Sequence, residues 1–472
     1  LQPPLAAALR LPSTADRWHV ERGALHAGPG SVQLPARRGI EVTGQVASLD
    51  VGDWLTVGQG EVPAPGNTGS EAAAARGSTD LLFREFALQP AQLSLAGQRL
   101  HDVDIRAQRG ADAWQVAVRG PAAEGDIVVP FDGRARPMRL DMKKLWLTEE
   151  EPGTGGHSDP RSLMGLEARI ADAAIGHWRL GQLELVAARV PDGLLLQRLS
   201  SRASSFTLTG DGSWRVTGND AAKKETRFRA TLESSGVRDT LAQLGFGSAI
   251  SGKSGRVRAD LAWPGAPAGD FLQRATGSIR LELKSGQVSE LEPGSGRLLG
   301  LLSITALPRR LSLDFRDVFD KGLGYDAIEG DFTLGGGSAY TCNVGLSGPA
   351  VEIAIVGRTD LVNRDYDQVA VVRPQIATTV LTAGGAVLGG PVGGVTMLLV
   401  SQLFRKSLGT LGESYYRVTG DWDKPEVARV QGDDVDAAAF KDCEKEIEAA
   451  LASPPPAVAP APAVPPAPTP KR

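Results

Sequence analysis

The chain of 472 residues carries 51 basic and 55 acidic side chains, a net charge of −4, so no overall field draws it to nucleic acid or to an anionic membrane. Glycine (57) and proline (31) are plentiful and aromatics make up only 5%, a composition that favours many short strands joined by tight turns and makes long helices the exception. Length alone suggests roughly three globular domains, although a repetitive all-β chain can run longer as one body. The two cysteines, Cys342 and Cys443, allow neither a disulfide framework nor a zinc-spaced cluster. One bridge between them is possible, but separate thiols are the expectation. The opening LQPPLAAALR has no initiator Met and no charged segment followed by an apolar one, so the chain reads as a fragment without its N-terminus.

Apolar residues alternate with polar ones along most of the chain. Val103 and Ile105 do so in HDVDIR, and Met138, Leu140 and Met142 alternate with Arg139, Asp141 and Lys143. Phe206 and Leu208 follow in SFTLTG, then Ile279, Leu281 and Leu283 against Arg280, Glu282 and Lys284. The pattern continues with Leu311, Leu313 and Phe315 in RLSLDF and with Val351, Ile353 and Ile355 in VEIAIVG. Period two predicts half-buried antiparallel strands with one apolar and one wet face. Turns are expected at GDGS (Gly210 to Ser213) and GGGS (Gly335 to Ser338), and longer loops at Gly60 to Ser78 and Glu151 to Pro160. Helices are expected at Arg238 to Leu244 and Gly296 to Thr305.

From Pro374 to Phe404 no side chain is charged, yet six glycines and Pro391 break the run at its middle. A membrane span needs about 20 apolar residues in unbroken helix, so this stretch predicts two short apolar helices with a hinge. Such a hairpin is buried in protein, dipped into a bilayer, or used to close something apolar. Phe440, Cys443, Ile447 and Leu451 then follow the spacing of an amphipathic helix. From Pro454, nine prolines in nineteen residues make an extended tail that cannot bury a core.

Catalytic patterns are weak. Gly247 to Ser254, GSAISGKS, fits the phosphate-loop pattern letter for letter, but a helical pattern precedes it and an alternating strand follows, the reverse of what a phosphate site at a helix N-terminus needs. Asp314, Asp317 and Asp320 lack the tighter spacing of a calcium loop. His19, His26, His101, His157 and His177 are scattered, and no nucleophile elbow or reactive-cysteine context occurs. No enzyme activity, cofactor or metal is expected.

The succession from Leu283, LKSGQVSELEPGSGRLLGLLSITALPRRLSLDFRDVFDKGLGYDAIEGDFTL, resembles the C-terminal region of the YhdP branch of AsmA-like proteins, within the bridge-like lipid-transfer group. The likeness continues through SGPAVEIAIVGRTDLVNRDYDQ and the apolar hairpin to YYRVTGDWDKPEV at Tyr415 to Val427. Upstream, WHVERGALHAG from Trp18, WQVAVRGPAAEGDIVVP from Trp114 and DPRSLMGLEARI from Asp159 extend it over nearly all of residues 15 to 430.

The resemblance implies a mainly β fold: an elongated, curled antiparallel β-sheet groove with a few short helices and a C-terminal apolar helical hairpin, to which the composition adds a disordered Pro-rich tail beyond the matched part. Residues 1–373 would be the groove, 374–412 the hairpin at its end, 413–431 a closing β-strand segment, 432–453 the amphipathic helix and 454–472 the tail. It implies a periplasmic protein, held to the inner membrane by an N-terminal helix missing here, that carries phospholipids toward the outer membrane. Its partners would be phospholipids, the two membranes and envelope proteins at either end. Groove-lining candidates are Val103, Ile105, Met138, Leu140, Phe206, Leu208, Ile279, Leu281, Leu283, Leu313, Phe315, Val351, Ile353 and Ile355. The hairpin would plug the groove or enter the outer membrane through Val380, Leu381, Val387, Leu388, Val395, Leu398, Leu399, Leu403 and Phe404, with Arg405 and Lys406 meeting phosphate headgroups. Roughly 25 strands at about 4.8 Å would give a trough on the order of 120 Å long. Alternation by itself also fits a closed β-core, as in a scaffold for outer-membrane assembly, and the residues alone favour that closed core. The resemblance reverses the preference.

Overall fold

In the computed structural model, residues 4–50, 83–148, 159–289, 322–374 and 413–431 are described, apart from 12, 15–16, 19, 96–97, 219–222, 248, 268–270 and 423, together with Cys443, Lys445, Ile447 and Glu448. Strand β1 (Leu5–Arg10) is followed by a separate small ribbon of β2 (Ser13–Thr14) and β3 (Arg17–Trp18), and then by β4 (Arg22–Ala27), β5 (Gly39–Asp50) and β6 (Phe83–Leu95). Both β7 (Gln98–His101) and β8 (Asp104–Arg109) pair with β6, and β9 (Ala113–Arg119), β10 (Ala123–Pro130) and β11 (Met138–Leu147) continue from β8. Thereafter each strand pairs with the next: β12 (Leu166–Ile175), β13 (Trp178–Val190), β14 (Gly193–Arg202), β15 (Phe206–Val216), β16 (Lys224–Ser234), β17 (Ile250–Pro264) and β18 (Thr276–Val288). The series ends with β19 (Leu323–Gly335), β20 (Ser338–Ser347), β21 (Val351–Asp360), β22 (Asp365–Pro374), β23 (Ser414–Asp421) and β24 (Glu426–Val430). The result is one 22-stranded sheet that curls without closing, roughly 100 Å along the direction of strand stacking at about 4.8 Å per strand.

Antiparallel pairing prevails, with three exceptions. The pairs β4–β5, β5–β6 and β11–β12 run parallel, because at each the chain crosses back to its starting end instead of turning tightly. The last crossover carries DPRS, where a short 3-10 turn (Pro160–Ser162) is capped by Asp159, whose carboxylate accepts from the Arg161 amide at 2.9 Å and from its Nη2 at 2.7 Å. Those hydrogen bonds hold the Asp159 carboxyl at about 2.

GDGS is not a turn. Gly210 and Gly212 lie inside β15, and a Cβ on Gly210 would meet the Arg229 carbonyl at 2.7 Å and the Phe228 ring at 3.3 Å. The glycines leave room for Phe228 of the neighbouring strand to lie flat. GGGS does turn, between β19 and β20, with Gly336 and Gly337 at positive φ. Helix α1 (Val237–Gln243) falls within a residue of its expected start, and Cys443, Lys445, Ile447 and Glu448 are helical, within the stretch expected as an amphipathic helix.

At β21 both faces are buried, which departs from the expected wet outer face. Ala354 and Val356, opposite in direction to Ile353 and Ile355, are as buried as they are. Their cross-strand partners Val371 and Val369 pack with Tyr415 and Val430 into a small cluster on that face. Cys342, in the bulged part of β20, is bonded to Cys443 across 101 residues with the Cα atoms 5.9 Å apart, so the expectation of two separate thiols is overturned. A loop of this length removes about 4.7 kcal/mol of unfolded-state entropy in the chain model. Cys443→Ser is therefore expected to lower Tm by a few degrees, and calorimetry showing the same Tm with and without reductant would contradict this.

Candidate functional site

Residues directly opposite in a ladder point to the same face, so the register traces which side chains share a surface. From Val42 the pairing runs through Phe86, Ala107, Val116 and Ile127 to Leu140 and Ala168. It continues through Leu185, Leu199, Gly210, Ala230 and Ala259 to Ile279 and Phe332. A second row runs from Leu283 through Ile328, Leu346 and Ile353 to Val372. One face of the curled sheet is thus apolar from β5 to β22. The opposite face is charged, with pairs such as Arg229 to Asp211 at 2.7 Å and Arg256 to Glu233 at 2.7 Å. These pairs are exposed and each adds little stability; they keep that face in water.

Burial along the apolar face is uneven. Leu140, Leu185, Leu199, Leu208 and Ile279 are half-buried, and Leu185 and Leu199 belong to none of the packed clusters. Toward the C-terminal strands the face closes, and Ile328, Val372 and Tyr416 are fully buried. The sequence-based lining residues divide accordingly. Ile105, Met138, Leu140, Leu208, Ile279 and Leu281 are half-buried, all but Met138 at the margins of the packed clusters, whereas Val351, Ile353 and Ile355 are core. Val103, Phe206 and Leu283 are also buried, Val103 and Phe206 in one cluster and Leu283 in the next. Leu313 and Phe315 lie outside the described residues, as do Asp314, Asp317 and Asp320, the expected helix at Gly296 to Thr305, and every hairpin position from Val380 to Lys406.

The strand ends form two long rims. At one, α1 lies across the ends of β13 to β17. Val237 faces the apolar side over Gly252 and Gly255, and Leu241 packs into the same cluster. Thr240 of α1 fixes it by donating to the Ser205 carbonyl at 3.0 Å and meeting the Ser234 hydroxyl at 2.8 Å. Farther along this rim the Thr148 hydroxyl donates to Gln98 Oε1 at 3.0 Å and ties β11 to β7. Tyr325 fills the space left by Gly252 and Gly286 and donates to the Ser251 carbonyl at 2.6 Å; burial pushes its phenol up to about 12. These contacts explain the GSAISGKS string: Ile250 through Ser254 are the first residues of β17, continuous with its ladder, and no helix follows.

The opposite rim is edged with aromatics on the apolar side. Phe83, Phe86, Trp114 and Phe131 follow in series with centroids 5.4, 5.4 and 6.5 Å apart, the first pair stacked, the second tilted and the third edge to face. Trp214, then Trp263 against Phe271 at 4.6 Å, and finally Trp422 beside Tyr366 continue the line. Alternation alone does not reveal this edge, because it depends on which strand end each residue occupies.

The family model described as "YhdP protein" matches residues 1–427. The chain belongs to the YhdP family. Among curated proteins, "Intermembrane phospholipid transporter YhdP" of Escherichia coli (strain K12) is 26% identical over 410 residues, covering 84% of this chain and 31% of that relative. The chain spans under a third of that relative's length. No solved structure matches it. Among its described residues, no helix is long and apolar enough to cross a membrane.

The burial gradient predicts opposite outcomes for two similar substitutions. Leu199→Asp, on the open stretch, is expected to cost within about 1 kcal/mol, and Ile353→Asp, in the closed end, more than about 4 kcal/mol. Urea denaturation reads both, and equal costs would contradict an open middle.

Proposed function

We propose that this chain carries phospholipid along the apolar face of its sheet, as a non-enzymatic conduit between two membranes. The observation that carries the reading is the row of half-exposed apolar side chains along the middle of β10 to β18, with Ile127, Leu140, Leu185, Leu199 and Ile279, backed by a charged face. An acyl chain in water costs about 0.8 kcal/mol per CH₂, so two chains impose on the order of 20 kcal/mol on free diffusion. A row of apolar side chains repeated every strand removes that barrier, because each step along the sheet exchanges one apolar contact for the next. The relative's name, an intermembrane phospholipid transporter, supports the substrate and its passage between membranes. In this reading the protein stands in the periplasm, anchored at the inner membrane and reaching toward the outer one.

Lipid extracted from the purified protein and identified by mass spectrometry tests the proposal. Phospholipid is expected at one or more molecules per chain, and loss of most of it in a folded Leu140→Asp/Leu199→Asp variant. A folded wild type free of lipid would return the chain to the scaffold reading.

The uncharged stretch 374–404 and the following Arg405 and Lys406 are proposed as the contact with a membrane surface. Its attachment points, Pro374 of β22 and Ser414 of β23, lie at the rim that also carries α1. Leu398→Asp with Leu399→Asp is expected to leave lipid binding intact and to abolish delivery to acceptor vesicles. Full delivery by the folded double variant would refute the contact.

A further inference from the structure

The two rims differ in chemistry as well as in shape. Of the chain's eight tryptophans, Trp114, Trp214, Trp263 and Trp422 stand at the aromatic rim on the apolar side. Rings with one apolar and one polar edge suit a boundary between hydrocarbon and water. Arg109 shares this edge. It points to the apolar side opposite Trp114, and its guanidinium lies over Phe131 at 4.1 Å and Trp114 at 5.8 Å.

Unpartnered donors collect at the same edge. Among the described residues six buried side-chain atoms lack a hydrogen-bond partner, and five of them are donors: Arg22 Nε, Arg109 Nη1, Trp214 Nε1, Arg215 Nε and Trp422 Nε1. All five residues lie within two residues of a strand terminus at the aromatic rim. By contrast Trp146, at the other strand ends, donates to Asp172 at 3.0 Å, and at the aromatic rim Trp263 donates to the Ala266 carbonyl at 2.9 Å. A buried donor without an acceptor carries a desolvation cost; Arg22 and Arg215 turn to the charged face, and the three on the apolar side, Arg109, Trp214 and Trp422, define a line that favours acceptor-rich, anionic groups. Arg109, Trp214 and Trp422 are themselves half-exposed, so a side-chain rotation brings the hidden N–H to the surface.

Resting on the trough reading, we infer that bound phospholipids lie with their headgroups along the aromatic rim, where Arg109, Trp214 and Trp422 donate to phosphate and ester oxygens. The helix rim is covered by α1 over the ends of β13 to β17 and tied by the contact of β7 with β11. Acyl chains then cross the open middle of the apolar face, and the lipids move in single orientation, headgroups to one side.

Two photoactivatable probes test this on the full chain: a phosphatidylethanolamine with a diazirine on its headgroup, and one with a diazirine at the end of an acyl chain. The headgroup probe is expected to label the neighbourhoods of Arg109, Trp214 and Trp422, and the chain probe Leu140, Leu185 and Leu199. Headgroup labelling at α1 and Tyr325, or equally at both rims, would overturn the orientation while leaving the trough intact. Absence of labelling by both probes would overturn the trough and the orientation together. In a folded Arg109→Gln variant, headgroup labelling around Trp114 is expected to fall roughly fivefold, about the weight of one hydrogen bond, with chain labelling unchanged. Unchanged labelling from both probes would remove Arg109 from the headgroup line.

Discussion

Backbone pairing bears the load that a closed hydrophobic core bears in most domains. A face can stay open to hydrocarbon only if the strands are held from the side, and here ladders from β4 to β24 do so without a gap. Side-chain packing is concentrated where opening is not needed. The cluster running from β16 to β24, with Ile328, Val372 and Tyr416 at its centre, makes a closed body at the C-terminal end. A second cluster, from β6 to β15, supports the strands where β7 folds toward β11. Between and along these, Leu185 and Leu199 keep an apolar surface with little packed against it. Antiparallel sheets tolerate this arrangement, since one face packs or binds while the other is solvated.

Much of the fold was legible in particular residues. SIRLELK and MRLDMK gave their strands and their apolar faces directly, because period two fixes which side chains share a surface. What alternation does not carry is the neighbour. VEIAIVG reads as another half-wet strand, but Ala354 and Val356 are covered, and the small cluster around Val371 and Tyr415 that they face through the ladder assembles from strands distant in sequence. Gly210 and Gly212 read as a turn because glycine punctuates chains, yet they are in-strand space for the Phe228 ring. Gly252 belongs to the same class: a letter of a phosphate-loop pattern in sequence, and in the fold the floor beneath Tyr325. The Cys342–Cys443 bond joins residues whose separation gave no hint of contact.

The candidate site shows the same division. Leu140, Leu208, Ile279 and Leu281 were identified from alternation and lie half-buried on the apolar face, while Ile353 and Ile355, identical in pattern, are core. The difference is not in their strands but in how far the sheet has curled around them. The rims were not legible at all, since a rim is a set of strand ends brought into line by register. Trp114, Trp214, Trp263 and Trp422 are separated by long stretches of sequence and become one edge only when each strand is placed. An aromatic edge, a helix-covered edge and an apolar floor give the trough a handedness that composition does not contain.

The openness of the middle of the apolar face is tested most directly by spin labels on single cysteines at Leu140, Leu199 and Ile279, with Ala354 as the buried control. An open trough predicts that labels at the first three positions are mobile and water-accessible in the lipid-free protein, and become oxygen-accessible and water-shielded when phospholipid is added, while the label at Ala354 does not change. Labels at Leu140, Leu199 and Ile279 that are immobile and indifferent to lipid would show a closed core and contradict the trough.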